Sequence, residues 1–98
     1  MLTVAGELDL YSNPTLLARI DEVSGNGARI AVDLTDVTFV DSSGLGALVG
    51  ALMRAEDNGE HLILIAPEEA PLSRMLSLTG LDQLLHPLPD RTALRQDR

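Results

Sequence analysis

The residues Asp41-Ser42-Ser43-Gly44-Leu45-Gly46 are where residue type and spacing point most clearly to chemistry. They stand where a loop meets a predicted helix N-terminus. On a helical wheel at about 100° per residue, Leu45, Leu48, Val49 and Leu52 form one stripe with Ser42 at its edge. Ser43, Gly46, Ala47, Gly50 and Arg54 fall on the opposite side. The spacing therefore predicts that Ser42 turns toward the core and Ser43 points outward. A first-turn serine can carry a phosphate, because the free N–H groups and the helix dipole favour an anion there. Such a phosphate would add about −1.5 to −2 charges to a neutral surface. The alternative is structural: Asp41 or Ser42 is an N-cap and Ser43 an ordinary first-turn residue.

The outward face is unusual for a solvated helix. It carries Gly46, Ala47 and Gly50 where Glu, Lys or Gln would be ordinary, and each helical Gly costs about 1 kcal/mol relative to Ala. Two explanations stand: a smooth surface on which another protein's backbone lies close, or a face covered by a loop of the same domain. Other chemistry is poorly served. Asp41-Ser42-Ser43-Gly44 lacks the preceding Gly of a nucleophile elbow. No Gly-rich phosphate loop is present. His61 and His86 form no metal pattern and read as surface or capping residues. Glu7 and Asp9 could pair as catalytic carboxylates, but a carboxylate that caps a turn or meets a partner's Arg is commoner. Acid, base and nucleophile are nowhere assembled, so no enzymatic activity, cofactor or metal is expected.

These residues need elements to position them. Leu2-Thr3-Val4-Ala5 alternates as a short strand ending at Gly6, and Glu7 to Tyr11 leads onward as a loop. Asn13-Pro14 reads as N-cap and N1 of an amphipathic helix carrying Leu16, Leu17, Ile20 and Val23. Ser24-Gly25-Asn26-Gly27 stops it. Ala28 to Leu34 alternates as a strand, Thr35-Asp36 turns the chain, and Val37 to Val40 delivers it to Asp41. A helix follows from Ser42 to about Asn58, closed by Asn58-Gly59. His61 to Ala66 is nearly all apolar, as in a strand buried on both faces. Pro71 to Leu78 gives another helix, ended by Thr79-Gly80. Leu84-Leu85 suggests a last short strand, and a polar tail runs from about residue 90 to 98. The order β-α-β-α-β-α-(β) predicts an α/β fold: one domain over 1–98, with helices packed on a central, mostly parallel or mixed sheet.

Composition narrows the function. A chain of 98 residues supports one core, and its 45 % hydrophobic residues suffice for it. One Tyr, one Phe and no Trp leave the packing to aliphatic side chains and provide no base-stacking platform. Seven Arg and no Lys stand against fifteen Asp+Glu, a net charge of −8. That balance argues against nucleic acid or an anionic membrane face as partner and favours a soluble protein, or one whose partner carries a basic patch. The absence of cysteine excludes disulfides and thiolate chemistry. No apolar run approaches the roughly 20 residues of a membrane span, and no leader is visible. A cytoplasmic protein is the expectation.

Three segments carry a family resemblance: Gly6-Glu7-Leu8-Asp9, Val32-Asp33-Leu34-Thr35 through Phe39 to Gly46, and Leu76-Ser77-Leu78-Thr79-Gly80-Leu81. In order and spacing they resemble the signature regions of the STAS domain, more narrowly those of bacterial anti-sigma factor antagonists. The resemblance implies a partner-switching regulator that binds an anti-sigma factor, itself a serine kinase, and so frees a sigma factor for transcription. Phosphorylation by that kinase would end the interaction and a PP2C-type phosphatase would restore it. The phosphoacceptor of the family is the second serine of the block, here Ser43. Glu7 and Asp9, with Asp41, Ser42, Gly44, Leu45, Gly46, Ala47 and Gly50, would line the partner surface. Family members usually carry about one more strand before the Gly-Glu-Leu-Asp segment, so either the first edge strand is missing here or the domain tolerates a shortened edge; a missing strand would leave an edge open to a homodimer. The resemblance also admits a STAS subunit of a stressosome-type assembly or of a membrane lipid transporter, outside the control of an anti-sigma kinase. Nucleotide binding, the third reading, lacks a phosphate-cradling loop.

Overall fold

Alternating or continuous β-formers give three strands in the computed structural model, which describes residues 2–9, 11, 13–23, 27 and 29–94. They are β1 (Leu2–Leu8), β2 (Arg29–Val40) and β3 (His61–Ile65). All pair in parallel, in the order β1-β2-β3, so the sheet is parallel and β1 forms one of its edges. The helices are α1 (Asn13–Val23), α2 (Ser42–Asp57), α3 (Pro71–Thr79) and α4 (Arg91–Leu94). The helices α1 and α2 connect consecutive parallel strands, pack on the sheet and pack on each other. Leu62 to Ile65 are buried without a break, as expected of a strand covered on both faces. The helix α3 packs on β2 and buries Leu72 and Leu76 one turn apart. Gly59 and Gly80 adopt φ of +72° and +78°, the left-handed conformation that ends α2 and α3 where the two glycines were expected to stop them.

Three expectations are corrected. Thr35-Asp36 does not turn the chain, because β2 runs on to Val40. Thr3 pairs with Asp33 but Ala5 with Asp36, and Gly6 pairs with Val37 but Glu7 with Phe39. At each step β2 spends one more residue than β1, so two bulges replace the turn. Each bulge shifts the side-chain alternation, and burial then recurs at every third residue: Leu34, Val37, Val40. Leu84-Leu85 is not a strand either. The chain makes a 3-10 turn over Leu81–Gln83, and Leu88 bridges to Ile65 in parallel. Glu7, read as a loop residue, belongs to β1.

The expected polar tail begins with the turn of α4, which is docked. The Arg91 guanidinium donates to the Asp33 carboxylate on β2 and to Thr3 Oγ1 on β1. Ser24-Gly25-Asn26, Ala28 and the tail's last four positions lie outside the described residues.

Candidate functional site

The carboxyl ends of β1 and β2 stop side by side at Leu8 and Val40, which are register partners. The Asp41 N–H donates to the Leu8 carbonyl at 3.3 Å, tying the end of β2 to the end of β1. Asp41 itself is extended (φ −104°, ψ −176°), and its Oδ1 accepts the Gly44 N–H at 2.8 Å. Asp41 rather than Ser42 is therefore the N-cap of α2. Gly44 faces β1 so closely that a Cβ would lie 2.8 Å from the Leu8 carbonyl carbon and closer still to its oxygen. No residue with a side chain fits there without moving backbone.

A second helix N-terminus meets the first. Asn13 Nδ2 donates to the Ser43 carbonyl at 2.9 Å, and the Asn13 N–H donates to the Asp9 carbonyl at 3.0 Å. Asn13 was expected to cap its own helix. Its amide instead bridges α1 to α2, and its Oδ1 is buried without a hydrogen-bond partner. Asp9 Oδ1 accepts the Tyr11 N–H at 3.0 Å in an Asx turn. Asp9, Asn13 and Ser43 are thus joined through hydrogen bonds, and Asp41 is tied to Leu8, at the carboxyl ends of β1 and β2.

The two serines are the reverse of the wheel's prediction: Ser42 is exposed and Ser43 half-buried. The buried residues of α2 are Gly44, Leu45, Leu48, Ala51 and Ala55. Their centre is rotated by roughly 60° from the Leu45-Leu48-Val49-Leu52 stripe, at 3.6 residues per turn. The close approach of Gly44 to the Leu8 backbone turns the small residues of α2 inward, and Asn13 at the start of α1 binds the Ser43 carbonyl. The outward glycines agree better. Gly46 and Gly50 are exposed with nothing within 4 Å of an added Cβ, so no loop among the described residues covers them. Ala47 is half-buried, and Arg54 pairs with Asp21 of α1 at 3.0 Å. Leu45 is core, 4 % exposed, and Gly44 is buried with it, so neither offers surface to a partner.

Glu7 stands exposed on β1 opposite Phe39 of β2. Its neighbour Leu8 is 1 % exposed and anchors the strand end. Away from this edge, Asp33 is the polar group most shaped by its surroundings. Burial pushes its carboxyl up, but hydrogen bonds from Thr35 and the Arg91 guanidinium outweigh that and hold it below the usual carboxylate range. Among the described residues no cluster of three His, Cys, Asp or Glu could hold a metal ion. Among them, too, no helix is long and apolar enough to cross a membrane.

Comparison with known proteins agrees with this geometry. The family model described as "Mlab, STAS domain" matches residues 1–87. The chain is 36 % identical over 84 residues to the anti-sigma-B factor antagonist of Staphylococcus aureus (strain NCTC 8325 / PS 47), covering 85 % of this chain and 77 % of the relative. It is 34 % identical over 84 residues to that of Bacillus subtilis (strain 168), covering 86 % and 76 %. The crystal structure of an anti-sigma factor antagonist from Mycobacterium paratuberculosis superposes with a TM-score of 0.74 at 28 % identity, over 95 % of this chain and 82 % of that one. A sulfate transporter family protein from Wolinella succinogenes shares the fold, with a TM-score of 0.65 at 19 % identity over 85 % of this chain and 67 % of that one.

Proposed function

The chain belongs to the STAS domain family, and from that premise we propose that it is an anti-sigma factor antagonist switched by phosphorylation of Ser43. The observation that carries the reading is the start of α2. Its cap, Asp41, is bound to the end of β1, Ser43 is bound to the start of α1, and the bare face of Gly46 and Gly50 lies beyond. A partner pressed on that face meets backbone rather than long side chains, and so can approach closely.

The partner is an anti-sigma factor with serine kinase activity, and a PP2C-type phosphatase reverses the modification. Docking the antagonist withdraws the anti-sigma factor from its sigma factor. Glu7, Asp9 and Asp41 give the edge negative charge and suit a basic partner. Exposure alone would favour Ser42 as phosphoacceptor; the assignment to Ser43 rests on its place in the Asp-Ser-Ser-Gly motif. The protein acts by binding and carries out no catalysis of its own, in the cytoplasm where the sigma factor works. Any pairing of two copies would use the β1 edge.

Because the matching family model is described as Mlab rather than as an antagonist, a second reading stands: a STAS subunit of a membrane lipid transporter or stressosome-type assembly. One experiment separates them. The protein is incubated with ATP and each GHKL-type anti-sigma kinase of its source organism, then weighed by mass spectrometry. A single phosphate adduct lost in Ser43→Ala supports the antagonist. No adduct with any kinase favours the second reading.

A further inference from the structure

The chain has one Tyr and one Phe, and the core uses neither. Tyr11 is 89 % exposed and Phe39 49 % exposed, while the buried cluster is aliphatic throughout. Both rings stand at the carboxyl ends of β1 and β2, each beside an acidic residue. Phe39 is the register partner of Glu7. Tyr11 closes the Asx turn of Asp9, whose carboxylate accepts the Tyr11 backbone N–H. Tyr11 gains almost nothing from folding and Phe39 buries only about half its surface, so both aromatics of the chain leave ring surface open near the strand ends.

We propose that Tyr11 and Phe39 are the aromatic anchors of the partner surface, seating arginine or lysine side chains of the anti-sigma factor. A ring face attracts a cation, and a carboxylate beside it accepts the cation's N–H groups. Aromatic residues and Arg are also the residue types that dominate interface energetics. The occupant is a basic protein surface because Glu7, Asp9 and Asp41 share this edge and the chain as a whole carries a net charge of −8. A second copy fits poorly, since a two-fold contact would set these acidic edges against each other. In the chain Tyr11 follows Leu8 and Phe39 precedes Asp41, whose N–H donates to the Leu8 carbonyl, so both rings stand near the start of α2. This rests on the antagonist reading and adds to it the residues that give binding its strength.

The test is calorimetric binding of the unphosphorylated protein to the purified anti-sigma kinases of its source organism. Tyr11→Ala and Phe39→Leu are each expected to weaken the best binder by at least about tenfold, with unchanged melting. Tyr11→Phe, which keeps the ring, and Leu78→Ala, an 85 % exposed apolar residue on α3, are expected to stay within about twofold. If a kinase binds the wild type and the anchor variants equally, or Leu78→Ala loses as much as they do, the anchors are refuted while the antagonist reading survives. If no kinase binds the wild type, the antagonist reading fails and the proposal with it. Sedimentation showing a wild-type dimer that Tyr11→Ala dissociates would reassign the rings to self-association and overturn the proposal.

Discussion

Gly44 sits directly over Leu8, with room for a hydrogen and none for a methyl group. That contact sets how closely α2 starts to the end of β1, and so how Asp41, Ser43 and Asp9 come to share one edge. Because the obstructing atoms are Leu8 backbone, a side-chain rotation cannot relieve the overlap. Gly44→Ala should therefore cost about 1–3 kcal/mol as an overpacking substitution, in spite of the better helix propensity of Ala. Urea unfolding measures it. Stability equal to or above wild type would show that the strand and helix can part without penalty.

Gly46 and Gly50 make the opposite case on the same helix. An added Cβ meets nothing within 4 Å at either position. Gly50→Ala should raise stability by up to about 1 kcal/mol. Gly50→Glu should leave the domain folded but weaken kinase binding by more than about tenfold, since it puts bulk and charge on the docking face. Unchanged affinity by calorimetry would remove this face from the interface.

The contrast between these glycines shows what was legible in the sequence. Periodicity and punctuation gave the α/β order, the two-sided burial of β3 and the ends of α2 and α3, because long apolar repeats and left-handed glycines are local signals. The phase of α2 was not legible. Gly44, Ala51 and Ala55 carry little hydrophobic signal, yet all three are buried, Gly44 against the Leu8 backbone. The wheel followed the larger Val49 and Leu52 and so exchanged Ser42 with Ser43. The bulges in β2 were hidden for a related reason. A bulge is a relation between two strands, and from one strand alone Thr35-Asp36 looks like a turn. Asn13 before Pro14 carries a strong capping signal, and its bond to Ser43 thirty residues away leaves no local trace.

Asp33 and Arg91 yield a pH dependence. The Asp33 carboxyl is held below its ordinary range in the folded chain, so ionised Asp33 contributes stability above the unfolded-state value of about 3.9. That contribution is lost as pH falls through the lower, folded-state value. Asp33→Asn should melt below wild type at neutral pH, with the gap closing in acid below about pH 3.9. Arg91→Ala should shrink the same gap, because it removes one of the groups that lower the Asp33 carboxyl. A difference between wild type and Asp33→Asn that persists unchanged into acid would show that the carboxylate's charge contributes nothing.

Phosphorylation of Ser43 should break binding without unfolding the domain. The first turn of α2 offers N–H groups to a phosphate, a gain of about 0.3–1 kcal/mol, but the Gly44 N–H is already taken by the Asp41 carboxylate. The phosphate would thus add its charge beside Asp41 and close to Asp9, on an edge where the partner must come near. Burying an uncompensated dianion there costs several kcal/mol and outweighs the helix-terminus gain. Affinity for the kinase should fall by at least about a hundredfold, or about 2.7 kcal/mol. Ser43→Ala should abolish the modification yet keep binding, whereas Ser42→Ala should leave the modification in place. Ser43→Asp should reproduce the loss only in part, having less charge and fewer acceptor oxygens. Calorimetry on the phosphorylated and unmodified protein, run beside circular dichroism and thermal melting, decides the mechanism. Full binding with the phosphate attached would refute the switch. Lost binding accompanied by a lowered melting temperature would instead trace the loss to disruption of the Asn13–Ser43 bridge that holds the two helix starts together.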